Sequence, residues 1–340
     1  MGGYMATIES TYLQTAREQL EVRLERLENL LQQQPNQQVE QLITEVDRAI
    51  ERIDTGHFGV CTVCHESVEA DRLMHDPLVS VCLGCLSPAQ QRALEYDLEL
   101  AARIQSGLLP QSDVRIPGWA VAFHYQPAGV VGGDYFDVIG DGRGGAYFLV
   151  ADVAGKGVAA AMLSANLRAM FRALVPLGLD VENLLTHANR LFSESKLPMQ
   201  YATLVFGHSN AAGELKLVNA GHLPILLSSG NKVTRVESNC LPLGLFAEQE
   251  FPVKSVHLQM GDTLVLYTDG VTEAQDDNGK EYGIAKLQAL FEECITKCPE
   301  ELVKCFRERL QGYRGATERA DDETLLALQY VGPTSSTMVS

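Results

Sequence analysis

The chain has 340 residues, 46% hydrophobic and 21% charged, with a formal net charge of −17. That length accommodates two domains with separate cores, and the charge disfavours DNA or RNA as a partner, since a phosphate backbone needs a basic face. No uninterrupted apolar run reaches the roughly 20 residues that span a bilayer, and no basic-plus-apolar signal segment opens the sequence, so a cytoplasmic protein with no membrane attachment is expected.

In chain order, Leu13, Leu20, Leu24, Leu27 and Leu31 recur at helical spacing in an Arg/Glu background. The pattern resumes with Val39, Leu42, Ile43, Val46, Ile50 and Ile53 after a Gln-rich break at Pro35 and Asn36. Proline cannot continue a helix and asparagine favours a turn. The spacing therefore predicts two antiparallel helices, 8–32 and 38–54, forming a hairpin domain over residues 1–56. Such a hairpin is either a bundle-forming spacer or a dedicated sensor.

Cys61-Thr-Val-Cys64 and Cys82-Leu-Gly-Cys85 follow, separated by seventeen residues. Two C-x-x-C knuckles at this separation supply four thiolates for one tetrahedral zinc. Disulfides are the competing reading, and a reducing compartment disfavours them. His57, His65 and His75 are spare ligands that four cysteines make unnecessary. The segment 57–87 resembles the DksA/TraR zinc fingers, and a preceding helical hairpin also fits that family. Its members act on RNA polymerase, which supplies a rival function: a non-enzymatic polymerase- or sigma-associated regulator. The hairpin tip here carries no carboxylate, unlike that of DksA. Residues 1–90 hold six Arg, no Lys and fourteen Asp plus Glu, which disfavours direct nucleic-acid binding.

Ser87-Pro88 reads as an N-cap followed by proline at the first helical position. The helix expected over 88–109, within a linker of residues 88–112, carries Leu94, Leu98, Ala101, Ile104 and Leu108 as an a/d-like seam. A seam this short is marginal alone. It packs either on a second copy, giving a homodimer, or on its own domain.

From Trp119 onward strands dominate, expected at 119–126, 134–140, 145–152, 201–207, 214–220, 223–229, 232–237, 253–258, 262–268 and 324–330. Helices are expected at 158–175, 180–195, 283–296 and 299–311. This alternation predicts a layered α+β domain. Cys240, Cys294, Cys298 and Cys305 lack knuckle spacing and read as reduced thiols. The Ser/Thr-rich end, 333–340, reads as a disordered tail.

Four acidic stretches stand out: Gly132-Gly-Asp134-Tyr-Phe-Asp137, Ala151-Asp152-Val153 before a Gly155/Gly157 turn, Thr268-Asp269-Gly270, and Ala320-Asp321-Asp322. Two of these, ending in Asp152 and Asp269, are apolar strands that terminate in an aspartate. Carboxylates gathered in one pocket repel each other, and an oxygen-only ligand set suits hard divalent cations such as Mg²⁺ or Mn²⁺.

Together the four motifs, in this order and spacing, resemble the PPM metal-dependent serine/threonine phosphatases, closest to the SpoIIE/RsbU-like branch, over residues 116–331. The resemblance implies a sandwich of two antiparallel sheets flanked by helices over 113–332. It implies two Mn²⁺ or Mg²⁺ activating a water, with Asp152 bridging them and the Val153 carbonyl helping to hold one. Asp269 and Asp321 would complete the other site, and Asp134 would serve the first, directly or through water. Asp137 and Asp322 are weaker candidates, supporting or superficial. It further implies a phosphorylated STAS-type anti-sigma-factor antagonist as substrate. Eukaryotic type 2C enzymes carry Gly-His after the bridging aspartate and an upstream phosphate-binding arginine. Val153-Ala154 stands here instead, with no arginine between Trp119 and Asp134, so the general acid has no counterpart. Lys156 either approaches an anion or is a solvated turn residue.

Overall fold

A computed structural model describes residues 2–33, 36–110, 114–196, 200–230 and 232–333. The chain divides into two compact units, Met1–Asp97 and Leu98–Ser340. The hairpin tip residues 34 and 35, and the expected tail from 334 on, lie outside the described residues.

In the first unit, α1 (Gly2–Gln33) and α2 (Gln37–Asp54) form the expected hairpin. Asn36 caps α2, its side chain accepting from the Gln38 N–H at 2.8 Å. Arg17, midway along the longer α1, pairs with Asp54 at the end of α2, consistent with the antiparallel sense. The seam closes over Leu20, Val46 and Ala49, with Leu24, Leu27, Ile50, Ile53 and Leu78 packed around them. A second small cluster, Cys61, Val68 and Leu73, lies under the cysteine knuckles. A short helix α3 (Ala70–His75) there was not expected from the sequence. Helix α4 (Pro88–Leu108) starts in a capping box: the Ser87 hydroxyl accepts from the Gln90 N–H at 3.3 Å, and Gln90 Oε1 accepts from the Ser87 N–H at 3.0 Å.

The second unit contains two antiparallel sheets. One orders β1 (Trp119–Gln126), β10 (Glu323–Tyr330), β9 (Thr263–Tyr267), β6 (Ile225–Ser229) and β7 (Lys232–Val236). The other orders β2 (Tyr135–Gly140), β3 (Ala146–Val153), β4 (Ala202–Ser209), β5 (Glu214–Ala220) and β8 (Lys254–His257). Phe136, Phe148, Val150 and Val205 meet Leu264, Leu266, Leu326 and Leu328 between the sheets. The alternate residues Leu149, Ala151, Leu204 and Phe206 face α5 (Gly157–Leu174) and α6 (Val181–Ser195). Val265, Leu325 and Ala327 likewise face α8 (Ile284–Glu293) and α9 (Pro299–Arg314). Central strands buried on both faces are why 147–151 and 325–328 are unbroken apolar runs instead of alternating ones. Gly207 is required opposite Phe148, since a Cβ there would lie 2.3 Å from the Phe148 ring.

Residues Gly157–Leu177 are long and apolar enough, by composition alone, to cross a bilayer. Leu163, Leu167, Phe171 and Leu174 of this segment are buried in the domain core, so its apolarity is accounted for by packing.

Candidate active site and metal centres

One end of the sandwich gathers the acidic motifs. β3 ends there in Asp152 and Val153, β9 runs into Asp269, β10 begins just after Asp321 and Asp322, and β2 begins just after Asp134. Asp269 opens a short helix, α7 (Asp269–Thr272), where the sequence suggested only a strand end.

Asp134 is 2% exposed. Thr268, just past the end of β9, and Thr324, on the neighbouring β10, both donate their hydroxyls to its Oδ2, the first at 2.7 Å and the second at 2.5 Å. Burial and the nearby Asp152 push its carboxyl well above the usual range. Asp152, opposite Thr203 in the β3–β4 register, is pushed up to about 7 by burial, then by Asp269, Asp321 and Asp322. Asp269 is raised by burial and by Asp321. The Val153 carbonyl looks toward Gly133, where a Cβ would come within 3.3 Å of it.

Backbone closeness explains the glycines in these motifs. A Cβ on Gly132 would lie 2.4 Å from both Asp322 Oδ2 and the Tyr125 hydroxyl, and one on Gly270 would lie 2.1 Å from the Asp322 carbonyl. Asp322 is not at the surface. It is 8% exposed, and its carboxylate accepts from the N–H groups of Ala128 at 2.8 Å and Gly133 at 2.6 Å, tying β10 to the loop that carries Asp134. Asp137 is fully buried and grips Arg172 on α5 with two hydrogen bonds, at 2.7 and 2.6 Å. Lys156 is neither a free turn lysine nor a free anion ligand here. Its Nζ sits 2.8 Å from Asp321 Oδ2 and donates to the Ala320 carbonyl at 2.8 Å.

Sequence reasoning passed over His222. It is buried, accepts from or donates to Thr203 Oγ1 through Nδ1 at 2.7 Å, and meets the Tyr267 carbonyl through Nε2 at 3.0 Å. A carbonyl can only accept, so Nε2 carries the proton and Nδ1 accepts from Thr203. Burial holds its pKa at about 4, and it stays neutral. It thereby links the partner of Asp152 to the strand leading into Asp269. The signal was present in Asn219-Ala-Gly-His222, polar residues closing an apolar strand.

These side chains fit divalent cations. The donor set is oxygen-only, the carboxylates raise one another's pKa, and Tyr125 has a buried hydroxyl beside Asp322 with no hydrogen-bond partner among the described residues. Asp152, Asp321 and Asp322 line, with Lys156, Leu98, Val130 and Val158, a cleft of about 350 Å³.

In the first unit the Sγ atoms of Cys61, Cys64, Cys82 and Cys85 all lie within 4.8 Å of one another, the only such His/Cys/Asp/Glu group among the described residues; the carboxylates are a looser set. Cys64 and Cys82 are 3.7 Å apart. A tetrahedron of Zn–S bonds near 2.3 Å has edges of about 3.8 Å, so the spacing suits zinc. The N–H groups of Val63 and Cys82 point at Cys61 Sγ, each at 3.4 Å. Backbone N–H donors, led by that of Cys64, pull the Cys61 thiol down to about 6, toward the thiolate a metal requires. The neighbouring thiols of Cys64 and Cys82 push Cys85 up to about 12. His65 adopts φ 62° at the knuckle turn and is exposed, as is His57; the His75 side chain lies outside the described residues. Cys294 and Cys305 have Sγ atoms 3.0 Å apart, both as free thiols.

The family model for Stage II sporulation protein E (SpoIIE) matches residues 142–331, more than half of the chain. The chain belongs to the SpoIIE family. It is 27% identical over 242 residues to phosphoserine phosphatase RsbU of Bacillus subtilis, covering 70% of this chain and 71% of that protein. It is 26% identical over 238 residues to phosphoserine phosphatase RsbP of the same organism, covering 68% and 57%. Among solved structures, the SiaA-PP2C domain of Pseudomonas aeruginosa superimposes with a TM-score of 0.63 at 22% identity, over 71% of this chain and 98% of that one. The RsbU and RsbW domains of Rv1364c from Mycobacterium tuberculosis match at 31% identity and TM-score 0.56, over 64% and 62%. SpoIIE-family membership and the PP2C fold make the second unit a metal-dependent protein phosphatase, of a family that uses Mn²⁺ or Mg²⁺.

Proposed function

We propose that this chain is a regulated phosphatase that removes phosphate from serine or threonine of a partner protein, a STAS-type anti-sigma-factor antagonist, in the cytoplasm. The observation that carries the reading is the convergence of Asp134, Asp152, Asp269 and Asp321 at one end of the sandwich, with Asp152 pushed up to about 7 by burial and then by Asp269, Asp321 and Asp322. Asp134, Asp152, Asp269, Asp321 and the Val153 carbonyl would hold two Mn²⁺ or Mg²⁺. Such cations supply charge neutralisation at the phosphoryl group and a water made acidic enough to attack near neutral pH.

The chain's own groups set the stage for that chemistry. Thr268 and Thr324 fix one oxygen of Asp134 and leave the other free to bind. Asp322, His222 and the glycines hold the four motif-bearing segments in register. Lys156, 69% exposed at its side chain, stands at the cleft mouth, where it can meet a phosphate dianion once Asp321 engages a cation. Val130 and Val158, both about half exposed, border the same cleft and offer apolar contact to a protein substrate.

The first unit holds one structural zinc on Cys61, Cys64, Cys82 and Cys85, and controls or localises the enzyme. Helix α4 leaves Leu94 41% and Ile104 58% exposed, which supports a homodimer formed through the linker and hairpin. The deciding experiment is phosphate release from a phosphorylated STAS protein with and without Mn²⁺. Mn²⁺-dependent release by wild type, absent in Asp152→Asn, is expected. No release, or equal release by both, overturns the reading.

A further inference from the structure

The first unit contains a cleft of about 520 Å³ between the helical hairpin and the cysteine finger, remote in sequence from every catalytic motif. Its walls carry Arg23 from α1, Arg48 and Arg52 from α2, and Arg72 from α3. Residues 1–90 contain six arginines (17, 23, 26, 48, 52 and 72), no lysine and fourteen acidic residues. Four of those six cations therefore face one cavity in an otherwise acidic module.

Local partners leave much of this charge unspent. Glu45 and Asp76 are the acidic residues on the walls, so four arginines against two carboxylates give a formal lining charge of +2. Arg23 is 3.8 Å from Asp76, a loose pairing, and Arg72 is held by Glu69 at 3.0 Å and by the Val81 carbonyl at 2.9 Å. Arg52 is half-buried and donates only to the Leu78 carbonyl, at 3.1 Å, with no carboxylate beside it among the described residues. Desolvation lowers its pKa, with no charged neighbour to offset the cost. Arg48 is exposed, with no ion pair among the described residues. A cation kept partly out of water without a counter-ion is uncommon unless an anion completes it.

We propose that this cleft binds a small molecule carrying two or more phosphate groups. Planar guanidinium forks match phosphate oxygens two at a time, and a diphosphate offers enough oxygens to engage several forks at once. The volume is that of a nucleotide-sized ligand site. The acidic exterior repels a long polyanion such as RNA, whereas a compact anion fits wholly within the basic walls. Because the walls come from hairpin and finger alike, the ligand would brace one against the other. That makes the module a receptor for a phosphorylated metabolite.

The test uses the full-length, zinc-loaded chain without added divalent cations, and ribose-labelled fluorescent ADP as the probe, read by anisotropy. Unlabelled ADP should displace the probe, and adenosine should not. Displacement by ADP alone would assign a nucleotide, and displacement by pyrophosphate as well a general diphosphate site; either supports the proposal. Arg48→Gln and Arg52→Gln should each weaken binding about tenfold or more, given the strength of charge-assisted hydrogen bonds. Arg26→Gln, on α1 outside the cleft, should bind as wild type. Arg48 is exposed, so its variant remains informative if Arg52→Gln unfolds. No saturable binding by wild type, binding unchanged in both cleft variants, or binding only of RNA or an acidic peptide overturns the proposal.

Discussion

Gln105 holds both ends of the Gly132 residue: the Gly132 N–H donates to Gln105 Oε1 at 3.0 Å, and Gln105 Nε2 donates to the Gly132 carbonyl at 2.6 Å. Gln105 belongs to α4, and Gly132 lies two residues before Asp134. The loop that delivers a candidate metal ligand is thus clamped by the last turns of the helix preceding the domain.

Removing that clamp should loosen the ligand without unfolding the domain. Two neutral hydrogen bonds contribute about 1 kcal/mol each, so Gln105→Ala should weaken Mn²⁺ affinity roughly tenfold or more, since 1.4 kcal/mol is tenfold. Calorimetric Mn²⁺ titration and the metal dependence of turnover check this. Wild-type affinity in Gln105→Ala would reduce the contact to simple packing.

The Asp137–Arg172 pair invites a stability measurement. Asp137 is fully buried, and its carboxylate also accepts from the Tyr135 hydroxyl at 2.9 Å. Arg172→Ala leaves that charge without its cation. Breaking buried pairs costs about 3–5 kcal/mol, and the half-exposed guanidinium places this one at the low end or below. A drop of about 2–3 kcal/mol in denaturant unfolding is expected. A loss of metal affinity with unchanged stability would instead make Asp137 part of the metal site.

Much of this architecture is legible before any coordinates. The ten strands of the second unit appear within two residues of their expected ends, because runs such as 147–151 are bounded by glycines and aspartates that cannot extend them. What escaped were contacts between segments distant in sequence. Thr268 and Thr324 meet on Asp134 only because β9 and β10 are neighbours. Asp322 read as a weak candidate because its role, accepting N–H groups from Ala128 and Gly133, spans about 190 residues. Gln105 lies off the Leu94–Leu108 seam, so helical spacing assigned it no role. Periodicity reports which face a residue occupies, and says nothing about which loop arrives opposite it.

The cysteine cluster predicts one equivalent of zinc per chain. A chelator should melt the first unit ahead of the second, because Val68 and Leu73 with Cys61 are too small a core to stand without the metal. Elemental analysis and far-UV circular dichroism during chelation check this. Four titratable thiols in a folded, zinc-free module would refute it.

Asp152 carries the sharpest prediction, because charge removal should act oppositely on stability and on activity. Its folded pKa of about 7 lies above the ordinary carboxylate value of about 3.9. Between those values the folded, metal-free chain holds a proton that the unfolded chain has released. This group's contribution to metal-free stability therefore falls as pH rises from about 4 to about 7, and its full penalty persists above that. Asp152→Asn removes the charge with little change in shape. The metal-free variant should melt at a higher temperature than metal-free wild type at pH 8, and the gap should close toward pH 4. Added Mn²⁺ should raise the wild-type midpoint at pH 8 by mass action, more weakly at pH 6 where protons compete, and should leave the variant nearly unmoved. Phosphate release should vanish in the variant at every pH. Differential scanning calorimetry across pH 4–8, with and without Mn²⁺, reads these effects apart from turnover. A metal-free Asp152→Asn protein less stable than wild type at pH 8 would mean that the carboxylates are not held in mutual repulsion.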